Sequence, residues 1–264
     1  MKIITSKWKV KFIPFILLAF CLQPPLANSA KNTEIVKLSI ASIDWCPQIC
    51  PKEVNKGYVQ DIVELIYASE KYQLEIHNMP WSRAIKMVDE GKYDALLAPA
   101  KDEAPTLIYP SIPIGKQQMC FFVSNASNWL YKEPKSLSSL SIGVAQDTFL
   151  EDLTEFQASN EKQFQYLPYL DRYVYQSAMM LLKGRIDTFL FTRNTTLFEL
   201  KQTNLNNQIR EVGCLNKSNI YIAFTPSLEK SLKVMSLIKF FEQEMTKYKV
   251  NGDVDKIMSK YGIK

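Results

Sequence analysis

Residues 91–97 read Gly-Lys-Tyr-Asp-Ala-Leu-Leu, and residues 184–190 read Gly-Arg-Ile-Asp-Thr-Phe-Leu. Both stretches follow the order glycine, basic residue, any residue, aspartate, two further residues and leucine. This order is typical of a helix that stops at glycine and a strand that starts after a turn. Asp94 and Asp187 are therefore interpreted as turn-forming residues rather than ligands, and the repeat predicts two similar α/β units.

The spacing of hydrophobic residues predicts strands that alternate with helices around the first copy of the repeat. It predicts strands at 35–43, 74–77 and 94–98 and helices at 59–69 and 81–90. Strands that alternate with helices in this way indicate a parallel sheet covered on both faces.

The same alternation surrounds the second copy. The pattern predicts strands at 141–145 and 164–167 and helices at 148–156 and 173–183. The turn that contains Gln146, Asp147 and Thr148 would then open a helix and direct its backbone amides at an anionic group of a ligand. The alternative is that Asp147 only caps the helix.

The last forty-five residues are too short to form a domain of their own. They predict a strand at 220–224, a helix from Pro226 and a final helix at 253–261. We expect these elements to return to the first unit, so that the chain crosses twice, near 116–122 and 220–225. The residues expected on the buried side of the Pro226 helix are Leu228, Leu232, Met235, Ile238 and Phe241.

The predicted fold class is therefore α/β, with two Rossmann-like lobes joined by a two-strand hinge. Residues 31–118 together with 222–264 are expected to form lobe 1, and residues 119–221 lobe 2. The first thirty residues are expected to be a signal peptide.

The signal-peptide prediction rests on the layout of residues 1–30. Four lysines precede an apolar stretch at 12–22, and small residues follow at Ala27, Ser29 and Ala30. A lipoprotein signal is the alternative, because Cys21 follows Leu-Ala-Phe, but phenylalanine stands where that motif has a small residue. The sequence thus predicts export to the periplasm.

The net charge of +5 comes mainly from the predicted signal peptide. Residues 1–30 hold four basic residues and no acidic one, so the rest of the chain has 28 basic against 27 acidic residues. A net charge of +1 lacks the broad positive field that nucleic-acid binding requires.

Four cysteines remain outside the predicted signal peptide: Cys46, Cys50, Cys120 and Cys214. An exported protein favours disulfides, and four cysteines allow three pairings. The short loop at 46–50 favours the pair Cys46–Cys50, which leaves Cys120 with Cys214. A redox or zinc pair is the alternative for the first two, but the chain has a single histidine and no second group of ligands. No metal or cofactor is expected.

Five short segments, taken in order, resemble the family 3 extracellular solute-binding proteins of bacteria. They are Gly-Tyr-Val-Gln-Asp-Ile at 57–62, Pro-Trp-Ser-Arg-Ala at 80–84, Gly-Lys-Tyr-Asp-Ala at 91–95, Tyr-Pro-Ser-Ile-Pro-Ile at 109–114 and Ile-Met-Ser-Lys-Tyr-Gly at 257–262. The resemblance implies a type II periplasmic-binding fold that holds a small solute between its lobes. It also implies an ABC permease as the partner of a monomeric binding protein.

The sequence departs from this family at two positions that hold an amino-acid ligand. Relatives that bind amino acids carry an arginine for the ligand carboxylate after a Thr-Pro pair, whereas residues 98–105 contain no arginine. Thr192 stands where those relatives have an aspartate for the ligand ammonium. An unmodified α-amino acid is therefore not expected, because an unpaired charge on it would be costly to bury.

The candidate cleft residues lie at strand ends and helix starts, where open α/β sheets bind ligands. Aromatic rings provide a rigid wall and bind cations, and guanidinium groups bind carboxylates with two parallel hydrogen bonds. For each candidate the alternative is an ordinary place in the core or on the surface, and for Lys101 and Arg193 the prediction is that they face each other across the cleft. The candidates are Trp45, Tyr58, Trp81, Arg83, Pro99, Lys101, Gln146, Thr148, Thr192 and Arg193.

Two other functional classes are alternatives to a transport protein. A few proteins of this fold are dehydratases, but the sequence has no nucleophile elbow, no phosphate-binding glycine loop and no cluster of metal ligands, so catalysis is not expected. A sensory module that presents its ligand-bound form to a membrane receptor is the second alternative. The sequence does not separate it from a transport protein.

Overall fold

The computed structural model describes residues 1–5, 7–9, 35–146, 148, 150–169 and 172–263. The chain divides into two units, residues 1–34 and 35–264, and every helix and strand named below belongs to the second. Most of the predicted signal peptide, including Cys21, lies outside the described residues, as do Asp147 and Phe149. Among the described residues, no helix is long and apolar enough to cross a membrane.

The described part of the second unit contains nine strands and seven α-helices. In chain order they are β1 Val36–Ser42, α1 Tyr58–Ile66, β2 Tyr72–Asn78, α2 Trp81–Asp89, β3 Ala95–Leu97, β4 Gly115–Ser124, β5 Ile142–Ala145, α3 Thr154–Ser159, β6 Phe164–Leu167, α4 Tyr173–Leu182, β7 Thr188–Thr192, α5 Arg193–Gln202, β8 Ile209–Ile220, β9 Ile222–Phe224, α6 Ser231–Val250 and α7 Asp253–Lys260. Short 3₁₀ helices lie at Pro134–Leu137, Glu151–Leu153, Glu161–Gln163 and Leu228–Lys230.

The first lobe is built on a four-stranded sheet with the order β2-β1-β3-β9. β1 runs parallel to β2 and β3, and β9 is antiparallel to β3. Helices α1, α6 and α7 pack with one another, and their apolar side chains share a core with β1 residues such as Leu38 and Ile40. Helix α2 packs with β1 and β3. The parallel arrangement agrees with the predicted fold class.

The second lobe is built on a five-stranded sheet with the order β6-β5-β7-β4-β8. β5 runs parallel to β6 and β7, whereas β4 is antiparallel to β7 and β8. The rings of Phe122 and Phe189 stack in its core with centroids 5.3 Å apart. The protein thus has two α/β lobes, each around its own sheet, as predicted.

The chain passes between the two lobes at two neighbouring places. β4 enters the second lobe at Gly115, which pairs with Ile220 at the end of β8. Ile222 then starts β9 in the first lobe. The first crossing therefore lies slightly before the predicted segment 116–122, and the two crossings lie side by side as a two-strand hinge.

The repeated aspartates hold equivalent positions in the two lobes. The backbone amide of Asp94 donates to the carbonyl of Ser39 at 2.9 Å, and that of Asp187 donates to the carbonyl of Ser141 at 2.8 Å. In return, the Ser39 amide donates to the Asp94 carboxylate at 2.9 Å and the Ser141 amide to the Asp187 carboxylate at 2.8 Å. Each aspartate therefore ties the start of one strand to its neighbour, which is a structural role.

The structure has both predicted disulfides. Cys46 is bonded to Cys50 within one loop. Cys120 is bonded to Cys214 and joins β4 to β8, ninety-four residues apart in sequence.

Two predicted helices differ from the structure. The helix predicted at 148–156 begins only at Thr154, after a 3₁₀ turn. The helix predicted from Pro226 begins at Ser231, and its buried residues are Val234, Leu237, Phe241 and Met245. Three residues predicted to be buried are exposed instead: Leu228, Leu232 and Met235.

Candidate functional site

A cavity of about 160 Å³ lies between the two lobes. Its walls come from segments that follow β1, β3, β5 and β6, from the end of β7, from the start of α2 and from β4 and β8. The carboxyl ends of parallel strands are where open α/β sheets bind ligands. The first lobe contributes Ile43, Trp45, Trp81, Ala98, Ala100, Asp102 and Glu103; the second lobe and the hinge strands contribute Gln117, Met119, Gln146, Thr148, Leu150, Asp152, Tyr169, Phe191, Thr192, Leu215, Asn216, Lys217 and Ser218.

Trp45 is held over the cavity by a tight loop. Its backbone amide donates to the carbonyl of Ile49 at 2.8 Å, and the disulfide between Cys46 and Cys50 closes the same loop. The indole Nε1 donates a hydrogen bond to Oγ1 of Thr192 at 3.0 Å. Trp45, which follows β1 in the first lobe, thus forms a hydrogen bond with Thr192 at the end of β7 in the second lobe.

Two further hydrogen bonds cross between the lobes beside the cavity. Nε2 of Gln48 donates to Oγ1 of Thr195 at 3.0 Å. The hydroxyl of Tyr169 donates to the backbone carbonyl of Asp44 at 2.6 Å. Together with the Trp45 bond they hold the lobes in contact, so the structure represents a closed arrangement.

Aromatic rings from both lobes form much of the wall. Trp45 and Trp81 come from the first lobe, and Tyr169 and Phe191 from the second. The rings of Tyr169 and Phe191 lie 5.6 Å apart, and Tyr173 packs behind Phe191 at 4.6 Å. This backing fixes the second-lobe rings before a ligand binds, which lowers the entropic cost of binding.

Glu103 places a carboxyl group at the cavity wall. One of its oxygens, Oε2, accepts a hydrogen bond from the backbone amide of Ala100 at 2.7 Å. Burial raises the pKa of Glu103 to about 7, although this amide and the side chain of Gln117 act in the opposite direction. Glu103 is partly buried, and these two hydrogen bonds do not offset the desolvation of its charged form.

A second acid lies on the opposite wall. The carboxylate of Asp152 accepts hydrogen bonds from the backbone amide and the Nδ2 group of Asn216, at 2.8 and 3.0 Å. Lys217, the next residue of β8, is exposed at the same wall. The two hydrogen bonds between Asp152 and Asn216 anchor β8 to the segment that precedes α3.

Sequence reasoning missed most of these polar residues. The family resemblance directs attention to an arginine in residues 98–105 and gives no role to Asp102 or Glu103. The lining residues of β8 were missed because that strand is rich in polar residues and lacks a clear apolar alternation. The run of four polar residues at 216–219 departs from the pattern expected of a buried strand.

Five predicted cleft residues are brought together at the cavity: Trp45, Trp81, Gln146, Thr148 and Thr192. Pro99 and Lys101 are next to lining residues but are not among them. The carbonyl of Pro99 accepts a hydrogen bond from the amide of Tyr221 at 3.0 Å. The Lys101 ammonium lies 5.1 Å from the centre of the Tyr221 ring.

Three predicted residues lie elsewhere. Tyr58 is fully buried in the core of the first lobe, with its ring 6.3 Å from that of Tyr261. Arg83 is exposed on α2. Arg193 forms an ion pair with Glu211 at 2.7 Å and borders a second cavity beside the hinge strands. The predicted opposition of Lys101 and Arg193 across the cleft is therefore wrong.

The predicted anion site at the start of a helix is also wrong. The backbone amide of Gln146 donates to the carbonyl of Leu167 at 2.7 Å, so it continues the pairing of β5 with β6. Helix α3 starts only at Thr154. Gln146 and Thr148 thus reach the cavity as polar side chains after a strand, and not as the first turn of a helix.

Two α/β lobes that are joined by a two-strand hinge and close over one cavity define a bilobed binding protein of the type II periplasmic-binding fold. The family model described as bacterial extracellular solute-binding proteins, family 3, matches residues 44–264. The chain belongs to this family, whose members are extracellular binding proteins without catalytic activity. A search of curated proteins found no match.

Solved structures with the same fold include both transport proteins and sensors. A chain of the GshT and TcyBC glutathione-import system of Streptococcus mutans has 19% identity and a TM-score of 0.70, over 86% of this chain and 95% of that one. A histidine kinase sensor domain has 15% identity and a TM-score of 0.70, over 86% and 96%. A mutant of the ArgBP of T. maritima has 16% identity and a TM-score of 0.66, over 85% and 94%.

Proposed function

We propose that this protein captures a small molecule between its lobes and delivers it to an ABC transporter. The observation that carries the proposal is the hydrogen bond between Trp45 and Thr192, which joins the two lobes directly at the cavity wall. A ligand that contacts both lobes only when they are closed shifts the population toward the closed form. Closure can then be recognised by a partner.

The moving bodies in this proposal are the lobes expected from the sequence, residues 31–118 with 222–264 and residues 119–221. The hinge is the pair of crossings at Gly115 and Ile220. Few residues need to change conformation in such a closure.

The proposed solute is not an unmodified α-amino acid. Among the described residues that line the cavity, none is an arginine, and Thr192 offers a hydroxyl that already accepts the Trp45 bond. Among the described lining residues, Lys217 alone could pair with an amino-acid carboxylate, and it is exposed. Burying such a group without a partner costs several kcal/mol.

The proposed location is the periplasm. Residues 1–30 have the composition of a signal peptide, and two disulfides agree with an oxidising compartment.

A sensory role is the second candidate. The similarity to a histidine kinase sensor domain with a TM-score of 0.70 favours it. In that role the closed form would contact a membrane receptor instead of a permease. Cross-linking in membranes with ligand, followed by identification of the captured protein, separates the two roles.

The test of binding is a thermal-shift screen of the purified protein against amino acids, peptides, polyamines, amines, organic acids and sugars. A ligand at about 100 times its Kd adds about 2.7 kcal/mol of stability. One chemical class should raise the Tm. Small-angle scattering should show that this ligand does not increase the radius of gyration. Mass spectrometry of the recovered ligand should show it unchanged. Turnover of the ligand, or no response to any class, contradicts the proposal.

A further inference from the structure

We propose that the solute is a small organic amine, with one positive charge on an apolar body about the size of a single ring, and that the carboxylate of Glu103 is its counter-ion. This inference rests on the proposed function, because it assigns a chemical class to the same cavity. Three features of the cavity support it: its rings, its charges and its size.

The rings suit a cation. Trp45, Trp81, Tyr169 and Phe191 approach the cavity from both lobes. The faces of aromatic rings attract ammonium groups within about 6 Å, most strongly where water is excluded. The same rings provide apolar contact for the body of the ligand, so one wall serves both parts of an amine.

The charges at the wall favour a cation over an anion. Among the described lining residues, three are acidic, namely Asp102, Glu103 and Asp152, and one is basic, namely Lys217. Asp152 is already engaged by Asn216, and Asp102 is exposed. Glu103 is therefore the acid that lies inside the site.

Glu103 has acceptor capacity left for an ammonium group. Its Oε2 accepts from the amide of Ala100, and a carboxylate offers about four acceptor positions in all. Burial disfavours its charged form, and a bound cation would reverse that effect. The charged and titratable groups around it are Lys101 and Asp102 on its own segment, Tyr109 and Tyr221 beside it, and Asp152 and Lys217 on the opposite wall.

The volume of the cavity indicates the size of the apolar part of the ligand. Its volume is about 160 Å³, and an apolar cavity of about 150 Å³ accepts benzene. A single ring or a branched chain of similar bulk fits this space.

The decisive experiment is isothermal titration of the purified protein with matched ligands. The amines are benzylamine, phenethylamine, cyclohexylamine and isoamylamine, and each is compared with the alcohol, the carboxylate and the α-amino acid of the same carbon frame. At least one amine should bind, and its alcohol and acid counterparts should bind about 30-fold or more weakly, because a buried charge pair contributes about 2 kcal/mol or more.

The matched variants are Glu103→Gln, which keeps the shape of the side chain and removes its charge, and Glu155→Gln, which makes the same change on the exposed surface of α3. The first should lose about 30-fold or more in amine affinity, and the second should bind like wild type. Thermal melting of both variants checks that they are folded.

A second measurement follows the release of protons when the amine binds, with Glu103→Gln as the comparison. Near pH 7, amine binding should release a fraction of a proton, because the ammonium group displaces the proton from Glu103. Titrations in two buffers of different ionisation enthalpy measure this release, and Glu103→Gln should abolish it.

The outcomes separate this inference from the proposed function. If a carboxylate, a sugar or an amino acid binds and the amines do not, the protein is a solute-binding protein and the amine assignment is wrong. Amine binding that is unaffected by Glu103→Gln overturns the role of Glu103. If no compound of the broader screen binds either, both proposals fail.

Discussion

Trp45 donates its indole N–H to the hydroxyl of Thr192 at 3.0 Å, although the two residues belong to different lobes and lie 147 positions apart. Both residues are buried, with exposed fractions of 6% each. An open form would expose the indole N–H and the hydroxyl to water. The bond therefore contributes to the closed form alone.

Replacing Thr192 by valine should weaken closure and ligand binding. The change keeps the shape of the side chain and leaves the indole N–H of Trp45 without this acceptor. An unsatisfied buried donor costs about 1–3 kcal/mol, so we expect a loss of about 5-fold to 140-fold in affinity for a solute found by screening. Titration measures the affinity, and small-angle scattering should show a larger radius of gyration in the ligand-free variant.

Thr196→Val is the control for that change. Thr196 is also buried, and its hydroxyl donates to the carbonyl of Thr192, the residue just before α5, at 2.9 Å. Its loss should lower the stability of the second lobe without changing the radius of gyration. Equal effects of both variants on ligand affinity would mean that the bond between the lobes has no special role.

The disulfide between Cys120 and Cys214 should stabilise the protein more than the other one. It closes a loop with a sequence separation of 94, against 4 for Cys46–Cys50. In the chain-entropy model these lengths correspond to about 4–5 and about 2 kcal/mol. Denaturation of the Cys120→Ala/Cys214→Ala and Cys46→Ala/Cys50→Ala variants measures both values, and a larger loss for the short loop would contradict the model.

Asp94 should be essential for the stability of the first lobe. Its side chain is 3% exposed and forms ion pairs with Lys230 at 3.0 Å and Lys233 at 2.8 Å. Burial acts to raise the pKa of Asp94, but hydrogen bonds from Lys233, Ser39 and Lys230 outweigh it and leave the pKa below its ordinary value. Asp94→Asn should therefore lower the free energy of unfolding by about 2–4 kcal/mol at pH 7.

The pH dependence of that loss follows from the direction of the shift. A carboxyl group with a lowered pKa in the folded state contributes stability above its ordinary pKa and loses it as the pH falls through its folded pKa. The difference in the free energy of unfolding between wild type and Asp94→Asn should thus become smaller below about pH 4. Asp187→Asn is the control, since the equivalent residue is exposed and should cost about 1 kcal/mol or less.

The repeat at residues 91–97 and 184–190 was sufficient to predict two α/β lobes, because a helix stop and a strand start are local events. The buried face of α6 was not predictable in the same way. Leu228, Leu232 and Met235 form one apolar series and Val234, Leu237 and Met245 another. Packing against α1 and α7 selects the second series, and neither contact is visible in a local pattern.

Only part of the candidate site was predictable, because a local pattern locates strand ends and helix starts but not tertiary contacts. Trp45, Trp81 and Thr192 lie at strand ends or helix starts, which a sequence pattern can locate. Tyr58 also starts a helix, but its side chain points into the core of the first lobe. Glu103 is partly buried and is bonded by the side chain of Gln117 in β4, and the local sequence of residues 98–105 does not reveal this contact.

Glu103→Gln should stabilise the ligand-free protein at neutral pH while it impairs amine binding. Burial raises the pKa of Glu103 from its ordinary value of 4.5 to about 7. Between these two values the unfolded chain has released this proton and the folded chain still holds it, so stability falls as the pH rises through this window and the loss is complete above about pH 7. Glutamine does not titrate. The free energy of unfolding of the variant, relative to that of wild type, should therefore be about 1–3 kcal/mol higher at pH 8 than at pH 4.

Urea denaturation at pH 4, 6 and 8 measures this change with pH, and the control variant Glu155→Gln should not show it. Saturating amine should reverse the order at pH 8, because the ammonium group then offsets the buried charge of wild type alone. Equal stability of variant and wild type at every pH would instead show that the Glu103 carboxylate is well solvated, which contradicts its role as the counter-ion of a bound cation.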